Sequence, residues 1–322
     1  MRILVIGAGA IGGYFGGRLL AAGRDVTFLV RPGRAASLAN HGLQIRSRFG
    51  DVNIPAPPTI LAEDLQAPFD LILLSTKAYD LENAIASFAP AVSDRTAILP
   101  MLNGMRHIDV LRERFGAERV LGGQCFISAA VDGSGTILHL NDAHELSFGE
   151  LSGVRSERVE DIITTFSGAR FDARLSESIL QEMWEKWIFI ASAAGITTLM
   201  RAAVGDIVEA GGTRYVDTLL AETSAVGTKE GFAPRPESTE RARAMLTKSG
   251  SVLTASMLRD IERNAPIEAD QIVGDFIRRA DQHAIDASFL RIIYTHLKAY
   301  EFRRNRELPS RDANSELVGT PK

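Results

Sequence analysis

The sequence predicts an α/β, Rossmann-type dinucleotide-binding domain at the N-terminus followed by an all-α domain at the C-terminus. Three observations carry that prediction: a βαβα alternation over the first forty residues, a glycine-rich turn between its first strand and first helix, and a change near residue 175 to long amphipathic stretches. A length of 322 residues exceeds what one compact core usually spans, and 45% hydrophobic with 24% charged side chains is ordinary globular material.

The elements follow in order. Residues 2–6 form an apolar strand and 11–22 a helical pattern, then 25–30 reads as the second strand and 34–40 as the second helix. Further strands are expected at 43–48, 71–76, 96–99, 119–126 and 145–149, implying one mostly parallel sheet covered on both faces. Amphipathic helices are expected at 179–194, 211–230, 237–246 and 270–283. The domains are drawn at 1–175 and 176–308. Residues 309–322, rich in Pro, Ser, Asn, Asp and Gly without a periodic apolar face, are expected to be a flexible tail.

Composition narrows the function classes. A net charge of -4 leaves no basic excess to neutralise phosphates, which disfavours a nucleic-acid partner and favours a small molecule. Cys125 is the single cysteine, so no intrachain disulfide forms, and it reads as a small buried hydrophobe in a reducing cytoplasm. No apolar stretch reaches the roughly 18 residues of a membrane span, and the first apolar run ends in glycines, so Met1 is expected to begin the fold. The six histidines show no i, i+4 pair; each reads as a surface or hydrogen-bonded structural residue, and no metal site is expected.

Gly7-Ala8-Gly9-Ala10-Ile11-Gly12 has the G-x-G-x-x-G pattern directly after a strand and directly before a helix. Gly7 permits the tight turn, Gly9 lets backbone approach a pyrophosphate, and Gly12 lets helix and strand pack closely. The helix N-terminus offers N–H groups to the anion. At the end of the second strand, where an NAD enzyme usually places an acid, stands Arg31, with Arg34 three residues on. A guanidinium there suits a 2′-phosphate, so the expected cofactor is NADPH/NADP, the alternative being that both arginines simply begin an exposed helix. Lys77 closes the third core strand and Asn103 follows the fourth; either could be a solvated turn residue, and both would overhang the dinucleotide crevice if the sheet order is Rossmann-like.

Lys186 lies in Trp184-Glu185-Lys186-Trp187-Ile188-Phe189-Ile190. Burial lowers an ammonium pKa, making such a lysine a workable proton donor; a lysine whose stem covers apolar surface while its head reaches water is the alternative. Glu268 could hold an ammonium in place, or could be an ordinary acid at a helix N-terminus.

Taken together, Gly7 to Gly13, Ser75-Thr76-Lys77, Leu102-Asn103-Gly104, Trp184-Glu185-Lys186, Ser256-Met257-Leu258-Arg259-Asp260 and Ile267-Glu268-Ala269-Asp270 resemble the ketopantoate reductase (2-dehydropantoate 2-reductase) family over nearly all of residues 1–308. The resemblance implies NADPH-dependent reduction of a 2-oxo acid. It implies Lys186 as the general acid with Glu268 linked to it, Lys77 and Asn103 lining the cofactor and reaction centre, and Ser256 binding the substrate carboxylate.

The chain departs from the family pattern where asparagines usually follow the lysine by four and eight residues. Ile190 and Ala194 stand there, and Val204 replaces a third asparagine. A polar substrate group left without partners is penalised heavily, so the expected substrate is a 2-oxo acid with a more apolar tail than ketopantoate. Thr197, Thr198 and Arg201 are further candidates for its carboxylate. An NADPH-binding sensor that has lost turnover is the competing reading, and a dehydrogenase with a histidine base is disfavoured because no histidine falls between Lys186 and Glu268. A homodimer is the expected assembly.

Overall fold

A computed structural model describes residues 1–307, so the expected tail at 309–322 lies outside the described residues. The chain divides into two compact units, one over Met1–Trp187 and one from Ile188 onward.

The first unit opens with β1 (Arg2–Ile6), α1 (Ala10–Ala21), β2 (Asp25–Leu29), α2 (Pro32–His41), β3 (Leu43–Arg46), β4 (Val52–Ile54) and β5 (Thr59–Ile60). It continues with β6 (Leu71–Leu74), α3 (Leu81–Phe88), β7 (Ala97–Pro100), α4 (Arg106–Phe115), β8 (Leu121–Val131), β9 (Ile137–Glu150), α5 (Glu157–Phe166) and β10 (Asp172–Leu175). Five strands make a parallel sheet in the order β5-β2-β1-β6-β7. Ile6 lies opposite Leu29 on one side and Leu74 on the other, and Leu74 opposite Pro100, so the strands end at one edge. The chain winds outward in both directions from β1, which makes that edge the ligand-binding side of such a sheet. Ile3, Leu4, Val5 and all of β6 are 0% exposed, as a parallel sheet covered on both faces requires.

A single sheet was expected, but the strands around residues 45, 125 and 147 build a second one, ordered β10-β9-β3-β4 with β8 antiparallel to β9. The β8–β9 hairpin supplies the reason. Its turn is fastened by Asp132 Oδ1, which accepts the Ser134 and Thr136 N–H groups at 2.9 Å each, and a hairpin partner lies closer in sequence than any parallel one. Helix α1 packs against both sheets. A Cβ on Gly13 would meet Ile137 Cδ1 of the second sheet at 2.4 Å, while one on Gly12 would meet Ser75 just beyond β6.

Helix α6 (Ile179–Met200) spans the division of the chain, and α7 (Val204–Glu209), α8 (Thr213–Lys229), α9 (Pro236–Leu246), α10 (Ser256–Glu262), α11 (Asp275–Gln282) and α12 (Ser288–Glu307) follow. The described residues of the second unit hold helices and loops only. Their core gathers Leu219, Val226, Phe276, Leu290, Ile293 and Leu297. The Glu222 carboxylate accepts the Phe289 and Leu290 N–H groups at 3.0 and 2.9 Å, which satisfies donors that the first turn of α12 leaves without an intrahelical acceptor.

Candidate active site

At the carboxyl end of β1 the chain turns through Gly7, whose φ of +88° is costly for any residue with a Cβ, and the Gly7 N–H donates to Leu29 O at 2.9 Å. Helix α1 then starts at Ala10, so the N–H groups of Ala10, Ile11 and Gly12 belong to a first turn without intrahelical acceptors. A Cβ on Gly12 would fall 2.1 Å from Ser75 Oγ and 2.3 Å from Gly7 O, so no larger residue lets helix and strand meet this closely. A Cβ on Gly9 would meet nothing within 4 Å. That open side faces a cavity of about 480 Å³ lined by Gly7, Ala8, Gly9, Val30, Arg31, Arg34 and Thr76, among others. Thr76 Oγ1 is buried there without a hydrogen-bond partner. An open glycine backbone, a helix N-terminus and an orphaned hydroxyl fit the pyrophosphate of a dinucleotide.

The arginines expected at the adenosine end are both in the lining, and neither is idle. Arg31, 75% exposed, forms an ion pair with Asp80, whose other oxygen accepts from Asn83 Nδ2 at 3.1 Å. Arg34 donates Nε to Ala8 O at 3.1 Å and a terminal nitrogen to Gly135 O at 3.3 Å, and burial lowers its guanidinium pKa. Lys77 and Asn103 follow β6 and β7 at the same edge of the sheet; Lys77 is exposed, Asn103 half-buried, and both lie outside the cavity lining.

Lys186 sits on α6 between Trp184 and Trp187, each 1% exposed. Its Nζ lies 5.4 Å from the centre of the Phe126 ring, a cation–π distance. Burial pushes the ammonium pKa down. Burial pushes the Cys125 thiol up, so Cys125 is indeed a buried neutral group.

The third neighbour corrects the expectation that every histidine is a surface or hydrogen-bonded residue. His107, on the inner face of α4, is 3% exposed, its Nε2 has no partner, and burial together with the Lys186 charge pushes its pKa down to about 3. The only sequence signal for it was its place beside Ile108 on the apolar face of a short helix, which says nothing about the lysine roughly eighty residues on.

In the second unit, Ser256 is exposed at the first position of α10, and Glu268 is 9% exposed just before the helical turn that leads into α11. Ala194 and Val204 are 2% and 1% exposed, and Ile190 is half-buried. Thr197 and Thr198 drop out as carboxylate ligands. Both are 0% exposed, and their hydroxyls donate to Ala193 O and Ala194 O at 2.7 and 2.6 Å, satisfied within their own helix. Arg201 is exposed in the left-handed region at φ +55°.

Among the described residues no helix is long and apolar enough to cross a membrane, and no group of three or more His, Cys, Asp or Glu side chains is placed to hold a metal ion. Residues 3–153 match the family model described as ketopantoate reductase PanE/ApbA, and residues 178–301 its C-terminal counterpart. The chain is 38% identical over 302 residues to the uncharacterized oxidoreductase YkpB of Bacillus subtilis, covering 94% of this chain and 99% of that one. It is 30% identical over 295 residues to a 2-dehydropantoate 2-reductase of Mesorhizobium japonicum, covering 85% and 89%. The crystal structure of 2-dehydropantoate 2-reductase from Methylococcus capsulatus superposes with a TM-score of 0.85 at 26% identity, covering 96% of this chain and 99% of that one.

Proposed function

This chain belongs to the ketopantoate reductase family of oxidoreductases, and on that footing we propose that it reduces a 2-oxo acid to the 2-hydroxy acid with NADPH as electron donor. The observation that carries the proposal is the place of Lys186, half-buried between Trp184 and Trp187, where burial lowers the ammonium pKa in the direction that suits a general acid.

The glycine turn at Gly7, Gly9 and Gly12 would hold the pyrophosphate, and Arg31 and Arg34 the adenosine 2′-phosphate. The nicotinamide, when bound, supplies a hydride. Lys186 holds a proton at Nζ against the carbonyl oxygen, and as that oxygen gains negative charge the ammonium stabilises it and passes the proton over. The bulk of Trp184 and Trp187, each 1% exposed, limits the water that would level that effect. Asn103 and Lys77, at the edge of the sheet, belong to the cofactor and reaction centre. The family resemblance assigns Glu268 to the catalytic pair and Ser256 to the substrate carboxylate, and both assignments are part of the proposal. A cytoplasmic symmetric homodimer completes it.

The substrate proposed is a 2-oxo acid with a more apolar tail than ketopantoate. Lys186, Ile190 and Ala194 fall at i, i+4 and i+8 of one helix, so the face that presents the ammonium continues as hydrocarbon rather than as amide. A panel of 2-oxo acids, with NADPH oxidation followed at 340 nm, tests this. The expected result is a kcat/KM for branched or aromatic acids at least about tenfold above that for ketopantoate. Ketopantoate as the best substrate would overturn the substrate assignment, and no oxidation with any acid would favour a dinucleotide sensor.

A further inference from the structure

The Arg31–Asp80 ion pair joins two loops that leave the sheet on opposite sides of β1. Arg31 follows β2 and Asp80 follows β6, and these strands flank β1 directly, so the pair crosses above the strand that ends in the glycine turn. Both residues line the same cavity, as does Glu63. The guanidinium proposed for the 2′-phosphate is therefore already matched to a carboxylate of the protein.

We propose that Asp80 is a cofactor-specificity residue whose carboxylate competes with the adenosine 2′-phosphate of NADPH for Arg31, narrowing the preference for NADPH over NADH. The inference rests on the NADPH reading given above. Binding a 2′-phosphate at Arg31 exchanges one anion for another, and the displaced carboxylate stays close, held by its second partner Asn83 at 3.1 Å. The phosphate is the stronger acceptor and takes the planar fork in two places. It does so beside a like charge, and Asp80, 23% exposed, is only partly screened by water. Glu63 adds to the negative potential of the same lining. A cofactor with a plain ribose hydroxyl leaves the ion pair intact and meets no such conflict, so Asp80 acts on one of the two dinucleotides and hardly on the other.

The test is equilibrium binding, read from nucleotide fluorescence at fixed ionic strength, of NADPH and of NADH to the purified wild type, Asp80→Asn, Arg31→Ala and the double variant. Asp80→Asn is expected to raise the ratio of the NADH Kd to the NADPH Kd by about tenfold. Asp80→Ser, which also removes the charge, moves the ratio in the same direction. In the Arg31→Ala background the Asp80→Asn gain falls below about threefold, because the contested guanidinium is gone. A ratio that stays put or falls in both Asp80 variants, while Arg31→Ala weakens NADPH, overturns the role of Asp80 and leaves the NADPH reading standing. NADPH affinity untouched by Arg31→Ala overturns this inference, and a wild type that binds NADH as tightly as NADPH overturns the NADPH reading.

Discussion

At the mouth of the dinucleotide cavity Arg31 is 75% exposed and ion-paired, whereas Lys186 is half-buried beside two buried tryptophans, a buried thiol and a buried imidazole. Both are cations in the same unit of the chain, and solvent makes them opposites. Around Arg31 water and salt screen each interaction, so a single charge contributes modestly and several side chains share the recognition. Around Lys186 burial changes proton affinity itself, so one nitrogen atom carries the outcome. Recognition placed in water can be retuned by one substitution, while chemistry placed in a desolvated pocket fails as a unit.

The sharpest way to break that contrast is Lys186→Ala. Loss of the proposed proton donor is expected to cut kcat by about a thousandfold, within the usual range for a general acid. NADPH Kd should shift less than about threefold, because the glycine turn and the arginines are untouched. Turnover within about tenfold of wild type would show that the proton comes from elsewhere.

His107 sharpens the buried side of the comparison. Its folded-state pKa of about 3 lies below the ordinary 6.5, so between these values the unfolded chain takes up a proton that the folded protein refuses. Stability from this residue is complete above pH 6.5 and drains away as pH falls towards 3. Between pH 7 and pH 4 the wild type should lose about 3 kcal/mol more than His107→Gln in urea unfolding, with all other groups common to both. Parallel curves would mean that His107 is solvated and that the enclosure of Lys186 is looser than the packing shows.

Gly12→Ala tests the feature that sequence described best. The added Cβ would overlap Ser75 Oγ and Gly7 O at 2.1 and 2.3 Å, which should cost about 2 kcal/mol and weaken both dinucleotides more than tenfold; an unchanged Kd would separate the turn from the cofactor. This turn was legible because its geometry is largely local: Gly7 and Gly9 answer constraints set within the turn, and Gly12 must clear Gly7 O, five residues away, as well as Ser75. The second sheet was not, because β9 pairs with β3 some ninety residues earlier, and β4 is too short, at 3 residues, to show a period. Lys186 could be singled out from its tryptophans, but the company of His107, Cys125 and Phe126 comes from two other elements whose approach no local pattern encodes. Thr197 and Thr198 misled for the same reason: composition cannot tell a hydroxyl aimed at a ligand from one bonded back to its own helix.

Ionic strength separates the two regions with the smallest effect and without a mutation. Raising salt from about 0.1 M to about 1 M shortens the screening length from roughly 10 Å to roughly 3 Å, which weakens every exposed pair at the cavity mouth. NADPH Kd should rise about fivefold, and NADH Kd less, since the 2′-phosphate is the group that leans on screened charge. Under saturating cofactor and substrate, kcat should move less than about 1.5-fold, because a half-buried ammonium is screened far less than the pairs at the cavity mouth. If kcat fell in step with affinity, bulk ions would be reaching the field at Lys186, and its lowered proton affinity would need a source other than burial.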